Sequence, residues 1–245
     1  MKTVSLLHWN ILYEEKAENI ASLVKEIKPD ILCVQELGGE GAHSNHALTQ
    51  LAQMFAEHYF EPANILGASG EELNLGNGIF SNFPMTAKKK VELWSGPNPT
   101  SNNKSEQRIY VEAVVNIEGR PLTVGTTHLS FAPNFADTPD RLAQLQKLMT
   151  AVGTQKSRFV ITGDFNSTKD TKIIKELKSR FVSAGPDETE PSFSTIPFSF
   201  LGFDVKGLDW RVDYIFTTPD IKVLSSQIIS TKFSDHLPIL AEFEI

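Results

Sequence analysis

The sequence predicts a mixed α/β fold, in which mixed β-sheets carry helices on their outer faces. Three observations predict it. Four stretches carry the apolar repeat of amphipathic helices. Nine short runs read as strands. The two kinds are interspersed, but many strands follow one another directly, which argues against a strictly alternating parallel sheet. The 245 residues suffice for one large domain with a buried core. No repeat of fixed period, low-complexity tract or linker divides them, so a single domain spanning 1–245 is expected.

The first helix is marked by Ile20, Leu23, Val24 and Ile27 at i, i+3, i+4 and i+7, with Pro29 as a stop. Leu48, Leu51, Ala52 and Phe55 mark the second, with Ser44 or Asn45 as cap. Leu142, Leu145, Met149 and Val152 mark the third, opened by Thr138-Pro139 and closed by Gly153. Ile173, Ile174 and Leu177 mark the fourth, opened by Ser167 or Thr168. The strand runs are Val4–Trp9, Asp30–Gln35, Gly78–Ser81, Tyr110–Ile117, Leu122–Leu129, Arg158–Gly163, Arg211–Thr217, Ile221–Ile228 and Leu237–Phe243. Ser95–Glu106 reads as an exposed polar loop. Gly185–Trp210 reads as a longer loop whose Phe193, Phe198, Phe200 and Phe203 either fold back into the core or cover a substrate.

Composition narrows the function. With 23 basic and 30 acidic side chains the net charge is −7, which excludes a whole-protein positive field. A polyanionic partner would have to be met by local positive charge or a bound cation. The single cysteine, Cys33, forbids an intrachain disulfide and lies in an apolar run, where it reads as a buried small hydrophobe. The N-terminal residues do not read as an export signal, and no segment has the roughly 20 apolar residues of a membrane span. A soluble cytoplasmic protein, and a monomer, is the expectation.

Chemistry-bearing residues collect at the ends of the apolar strands. Asn10 follows Ser5–Trp9; Gln35 and Glu36 follow Ile31–Val34; Thr127 and His128 end Leu122–Thr126. Asp164 and Asn166 follow Phe159–Thr162, Asp213 sits inside Val212–Phe216, and Asp235-His236 precede Leu237–Leu240. Singly, each has a plain reading as a turn former, helix cap or packed polar residue. Together they match hydrolysis of a phosphate ester. A hard cation on oxygen ligands such as Glu36 neutralises the transferring group. A carboxylate such as Asp164 orients or deprotonates water. Histidine and amides donate to the phosphate oxygens, and an Asp–His pair favours the charged imidazolium.

These motifs, in this order, resemble the endonuclease/exonuclease/phosphatase superfamily. The resemblance runs through His8-Trp9-Asn10-Ile11, Pro29–Glu36, Gly76–Ser81, Thr127-His128-Leu129, Gly163-Asp164-Phe165-Asn166, Arg211–Ile215 and Ser234–Pro238. It implies a four-layer sandwich, two mixed sheets packed face to face with helices on both outer faces. It implies Glu36 as the principal Mg²⁺ or Mn²⁺ ligand with Asn10 nearby, and Asp235 as a second metal ligand. It implies Asp164 positioning water, Asn166 and His128 contacting phosphate, and His236 stabilising the pentacoordinate state, oriented by Asp213. Arg108 falls where some members place a phosphate-contacting arginine; its other reading is a solvated strand-end charge. Asn77 stands where deoxyribonuclease-like members carry a carboxylate that partners the histidine, and is read as substrate-binding. Ser167-Thr168 replace the tyrosine-arginine pair of inositol-polyphosphate phosphatases.

His43 and His46 lack acidic or thiol partners at ligand spacing and are not read as a metal pair. Lys88, Lys89 and Lys90 read as a solvated hairpin face or charged edge strand. The main expectation is a nuclease-like metal-dependent phosphodiesterase acting on short or single-stranded nucleic acid or a small phosphate ester. The rivals are a phosphatase or phosphodiesterase on a lipid headgroup or sugar phosphate, and a non-catalytic binding module on the same fold.

Overall fold

Strands β1 (Thr3–Asn10) and β2 (Ile31–Gly38) are parallel neighbours joined through helix α1 (Ala17–Ile27), whose Ile20, Leu23 and Val24 are buried as the spacing requires. The computed structural model describes residues 2–39, 46–67, 70–97, 104–154 and 157–245. Helix α2 (Ala47–Ala52) follows and is a single short stretch that stops before Phe55; its expected caps, Ser44 and Asn45, and His43, lie outside the described residues. Strands β3 (Glu57–Leu66), β4 (Glu72–Ser81), β5 (Met85–Gly96), β6 (Ser105–Ile117) and β7 (Arg120–His128) come next. Helix α3 (Pro139–Val152), β8 (Phe159–Asp164), α4 (Lys172–Arg180) and β9 (Val182–Ser183) follow, and then a hairpin of β10 (Phe198–Phe200) and β11 (Phe203–Val205). Strands β12 (Asp213–Thr217), β13 (Lys222–Ile228) and β14 (Ile239–Glu244) end the chain.

The fold is mixed α/β and rich in strands. Where two separate sheets were expected, the strands hydrogen-bond into one curled twelve-stranded sheet, in the order β13-β14-β1-β2-β4-β3-β6-β7-β8-β12-β9 with β5 on β6. Among the described residues the halves join where Ile65 and Leu66 of β3 meet Glu106 and Ser105 of β6, with the Lys104 N–H donating to Leu66 O at 2.8 Å beside them. That narrow joint lets the sheet turn back on itself, so that β1 lies against β8 and β12 and β2 against β7. One apolar cluster fills the space between the halves, with Leu6, Ile31, Cys33 and Ile79 meeting Val111, Val124, Val160 and Ile215. A second lies under α3 and α4, and a third under α1 and α2.

Several boundaries differ from the sequence reading. Thr171, not Ser167 or Thr168, caps α4, its Oγ1 accepting from the Ile174 N–H. β3 lacks clean apolar alternation and was not expected as a strand; of β5 only the charged Lys88–Lys90 stretch was read as an edge strand or hairpin face, and the strand runs on into the start of the expected Ser95–Glu106 loop, with β6 at its end. Thr138 does cap α3, accepting from the Arg141 N–H. Lys88, Lys89 and Lys90 lie on β5 beside Glu57, Glu112 and Glu61 respectively. The Gly185–Trp210 segment contains the β10–β11 hairpin, and Phe193 and Phe203 are buried with Phe135 and Val212 in a cluster of their own.

Candidate active site

The topology places the polar strand ends together. Asn10 and Gln35 are register partners at the end of the parallel pair β1/β2. His128 and Asp164 are partners at the end of the parallel pair β7/β8, and Asp213 opens β12 directly opposite Asp164. Curling the sheet brings the carboxyl ends of both parallel pairs to one edge, the position where open sheets build sites.

Local backbone geometry aims two of these side chains. β2 carries a bulge in which Gln35 and Glu36 oppose the single residue Asn77 of β4. Glu36 takes a left-handed φ of 56° there, and Asn166, after β8, one of 46°. Such conformations are costly for residues with a Cβ and persist where surrounding structure holds them.

At one end of the cluster, the buried Asp213 accepts from both neighbouring imidazoles and a hydroxyl. Its Oδ2 lies 2.8 Å from His236 Nδ1 and accepts from Ser192 Oγ at 2.7 Å, while Oδ1 lies 3.1 Å from His8 Nε2. Burial alone would raise the Asp213 pKa, but the charge and hydrogen bond of His236, with the His8 hydrogen bond, hold it far below the carboxylate range. Burial likewise opposes the charge on His236, yet Asp213, Asp164 and Asp235 together raise its pKa well above the ordinary value. The His236 ring is further held by Phe193, with centroids 4.5 Å apart, and its carbonyl accepts from Trp9 Nε1 at 3.1 Å. His8 stays neutral because burial lowers its pKa.

The other end is acidic. Asn10 Nδ2 lies 3.1 Å from both Glu36 Oε1 and Asp164 Oδ2, so one amide bridges the two carboxylates. Asp164 Oδ1 accepts from the Asn166 N–H at 2.9 Å. Its Oδ2 lies 3.3 Å from His128 Nε2 and 3.6 Å from His236 Nε2. Burial pushes the Asp164 pKa up to about 7, with His236 working against the shift and Asp213 with it. Burial and then Asp235 raise that of Glu36. His128 lies 3.2 Å from Asn166 Nδ2, and burial, then the Arg108 charge, lower its pKa well below the ordinary value.

Arg108 is buried rather than solvated, its Nη2 donating to Glu106 Oε2 at 2.7 Å. Asn77 donates to the Ile109 carbonyl at 3.0 Å rather than to a histidine. Both line a recess beside Glu36 and His128, with Tyr13 and Leu75 in its wall. His46 is the left-handed residue preceding α2, away from these groups in the chain order.

The sequence reading missed His8, Ser192 and Arg141. His8 was buried inside an apolar run, and Ser192 carried no signal. Arg141 carried one: it and Gln144 occupy positions of the buried stripe of α3, where a polar side chain needs a reason.

Two donor sets could hold a metal. Asp164, Asp213 and His236 place atoms within 4.8 Å of one another, but Asp213 Oδ2 and His236 Nδ1 are already bonded to each other. Glu36 and Asp235 offer hard carboxylate oxygens, and Asn10 would add its oxygen by turning over the amide, whose nitrogen now faces Glu36 while Oδ1 accepts from the Leu12 N–H at 3.3 Å. Among the described residues Glu36 receives the Asn10 amide and a long 3.4 Å contact from the Tyr13 N–H, and its proton is held tighter by burial and then by Asp235. That uncompensated acidity fits a divalent cation better than the first set does.

The chain belongs to the endonuclease/exonuclease/phosphatase family, whose model it matches over residues 7–236. Members of this superfamily are phosphoesterase hydrolases and are generally dependent on divalent metal. No curated protein matches the sequence. Among solved structures, an endonuclease/exonuclease/phosphatase protein from Beutenbergia cavernae is 19% identical with a TM-score of 0.80, over 100% of this chain and 72% of that one. The human nocturnin catalytic domain with bound sulfate is 19% identical with a TM-score of 0.70, over 99% and 93%. A mannosyl-6-phosphatase from Bacteroides thetaiotaomicron is 16% identical with a TM-score of 0.68, over 99% and 100%. At these identities the likeness is one of fold. No helix among the described residues is long and apolar enough to cross a membrane.

Proposed function

We propose that the chain is a Mg²⁺- or Mn²⁺-dependent phosphodiesterase, acting in nuclease-like fashion on short or single-stranded nucleic acid or on a small phosphate ester. The observation that carries this reading is the Asn10 amide, which ties Glu36 to Asp164 within reach of the Asp213–His236 pair. Glu36, with Asn10 and Asp235, would hold the cation, which supplies charge neutralisation at the phosphate and the leaving oxygen. Asp164 orients the attacking water and takes its proton; a pKa near 7 suits a base working at neutral pH. His236, kept charged by Asp213, faces the phosphate oxygens as negative charge builds. Asn166 and neutral His128 would meet the phosphate from the opposite side, giving up for it the contact between Asn166 Nδ2 and His128 Nε2, and Asn77 and Arg108 line the recess beside them.

The three apolar clusters support a helix–sheet–sheet–helix layering of one domain, with the facing halves of the single sheet standing for the two sheets. A small phosphate monoester is the second substrate reading. It is favoured by the net charge of −7 and by the fold likeness to a mannosyl-6-phosphatase. A screen with Mg²⁺ and Mn²⁺ over single-stranded DNA, abasic DNA, RNA, small diesters and sugar phosphates separates the two. Chelation should abolish the activity found, and Glu36→Gln should raise the metal concentration it needs. Unchanged metal dependence in Glu36→Gln would remove Glu36 from the cation site.

A further inference from the structure

We propose that Arg141 is a positioning residue for the site, fixing Asp164 and Asn166 by gripping the backbone of residues 165–167 from α3. The proposal rests on the phosphoesterase reading for its kinetic consequence but on geometry for its substance. Immediately after Asp164 the chain turns through the left-handed Asn166. The turn leaves the carbonyls of Phe165 and Asn166 inside the protein, where each needs a donor. Arg141 Nη2 shares its two N–H groups among Asn166 O, Ser167 Oγ and, at 3.2 Å, Phe165 O, which also accepts from Ser167 Oγ at 2.8 Å, while Nη1 donates to Ala136 O at 2.7 Å.

The arginine is 1% exposed. Burying a cation carries a large desolvation penalty, and an apolar side chain of that volume would pack α3 without it. What the guanidinium adds is a planar fork that meets several oxygens at fixed angles, which lysine cannot do. Burial lowers its pKa only to about 10, so it is charged at neutral pH. Its partners are backbone carbonyls and one hydroxyl behind the turn; among the described residues none of its hydrogen bonds reaches the Asp164 or Asn166 side chain. It therefore acts through the loop.

One turn further along the same helix face, Gln144 performs the matching task on the other loop. Its Nε2 donates to Ser130 Oγ at 2.7 Å and its Oε1 accepts from the Ser130 N–H at 3.0 Å, two residues beyond His128. Asn166 Nδ2 then links the loops by donating to Leu129 O at 2.9 Å. Helix α3 thus holds the two segments that present His128, Asp164 and Asn166.

The test uses the full chain with Mn²⁺ and bis(p-nitrophenyl) phosphate. Arg141→Gln should lower kcat by about 10- to 100-fold with KM and the Mn²⁺ requirement little changed, since small misplacements of catalytic groups carry such penalties. In an Asp164→Asn background the same substitution should cost less than about 3-fold, because its effect passes through Asp164. A purely structural residue would cost the same factor in both backgrounds, and that result overturns the proposal. Arg141→Lys, which keeps the charge and loses the fork, should show a smaller kcat loss with the same non-additivity; wild-type kcat in it is equally fatal. Amide hydrogen exchange follows the loop itself and needs no turnover. Arg141→Lys should speed amide exchange at Asn166, whose N–H bonds Asp164, and leave β1 and β2 unchanged. Wild-type exchange at Asn166 would overturn the proposal, whereas a wild-type chain without any hydrolysis would overturn the phosphoesterase reading instead.

Discussion

Asp213 and Asp164 face each other across the β8–β12 ladder, both essentially without solvent exposure, and their surroundings drive them apart. Asp213 sits among His236, His8 and Ser192, and its charge is compensated within the protein. Asp164 and its neighbour Glu36 share one amide donor, and both hold protons more tightly than a free carboxylate. Burial is common to the two aspartates, so it cannot explain the difference between them. Partners do. The compensated end is a finished orienting device; the uncompensated end is where a cation and a reacting water would find their place.

The largest expected effect comes from breaking the uncompensated end. Asp164→Asn keeps the shape and removes the proposed base, so kcat should fall by about 10²–10⁴. A near-normal rate would favour the binding-module reading. Breaking the compensated end is milder and shows itself in pH. Asp213→Asn removes the charge that does most to raise the His236 pKa, so that pKa should fall and the basic limb of the pH–rate profile should move down with it. A basic limb that stays put would mean another group defines it.

The metal-free protein sharpens the comparison through stability. The folded state raises Asp164 from 3.8 to about 7, so it binds that proton more tightly than the unfolded chain does. Stability is thus lost as pH rises across that interval. Asp164→Asn escapes this loss, and its Tm in chelator should exceed wild type at pH 8 by on the order of 5 °C, a gain that shrinks toward pH 4. A Tm difference independent of pH would show that Asp164 is not strained by burial. The smallest effect concerns long polyanions. The lysines of β5 stand beside glutamates and Arg108 beside Glu106. Duplex DNA should consequently bind weakly in Ca²⁺ with a shallow salt slope, well below that of a protein making about six to ten phosphate contacts. Tight binding that collapses with salt would reveal a basic surface assembled by the fold.

How much of this was legible in the sequence depended on whether the signal was local. Helices α1 and α3 were readable because their apolar stripes and the Thr138-Pro139 start depend on near neighbours alone. The polar strand ends Asn10, Glu36, His128, Asp164, Asp213 and His236 were readable as a set because each breaks an apolar run. The curl of a single sheet, the β3 strand, the full extent of β5 and the Thr171 cap were not, since pairing across distant segments and competition between adjacent hydroxyls leave no periodic trace. Nor was the burial of Arg108, and although the place of Arg141 on the buried stripe of α3 marked it as a polar residue needing a reason, nothing in the sequence said which oxygens it grips. The sequence by itself determined which chemical groups this protein carries and at which strand ends. Only the tertiary structure decided which of the carboxylates is satisfied and which is left acidic, because a pKa is set by partners that lie up to about two hundred residues away along the chain, as His8 does from Asp213.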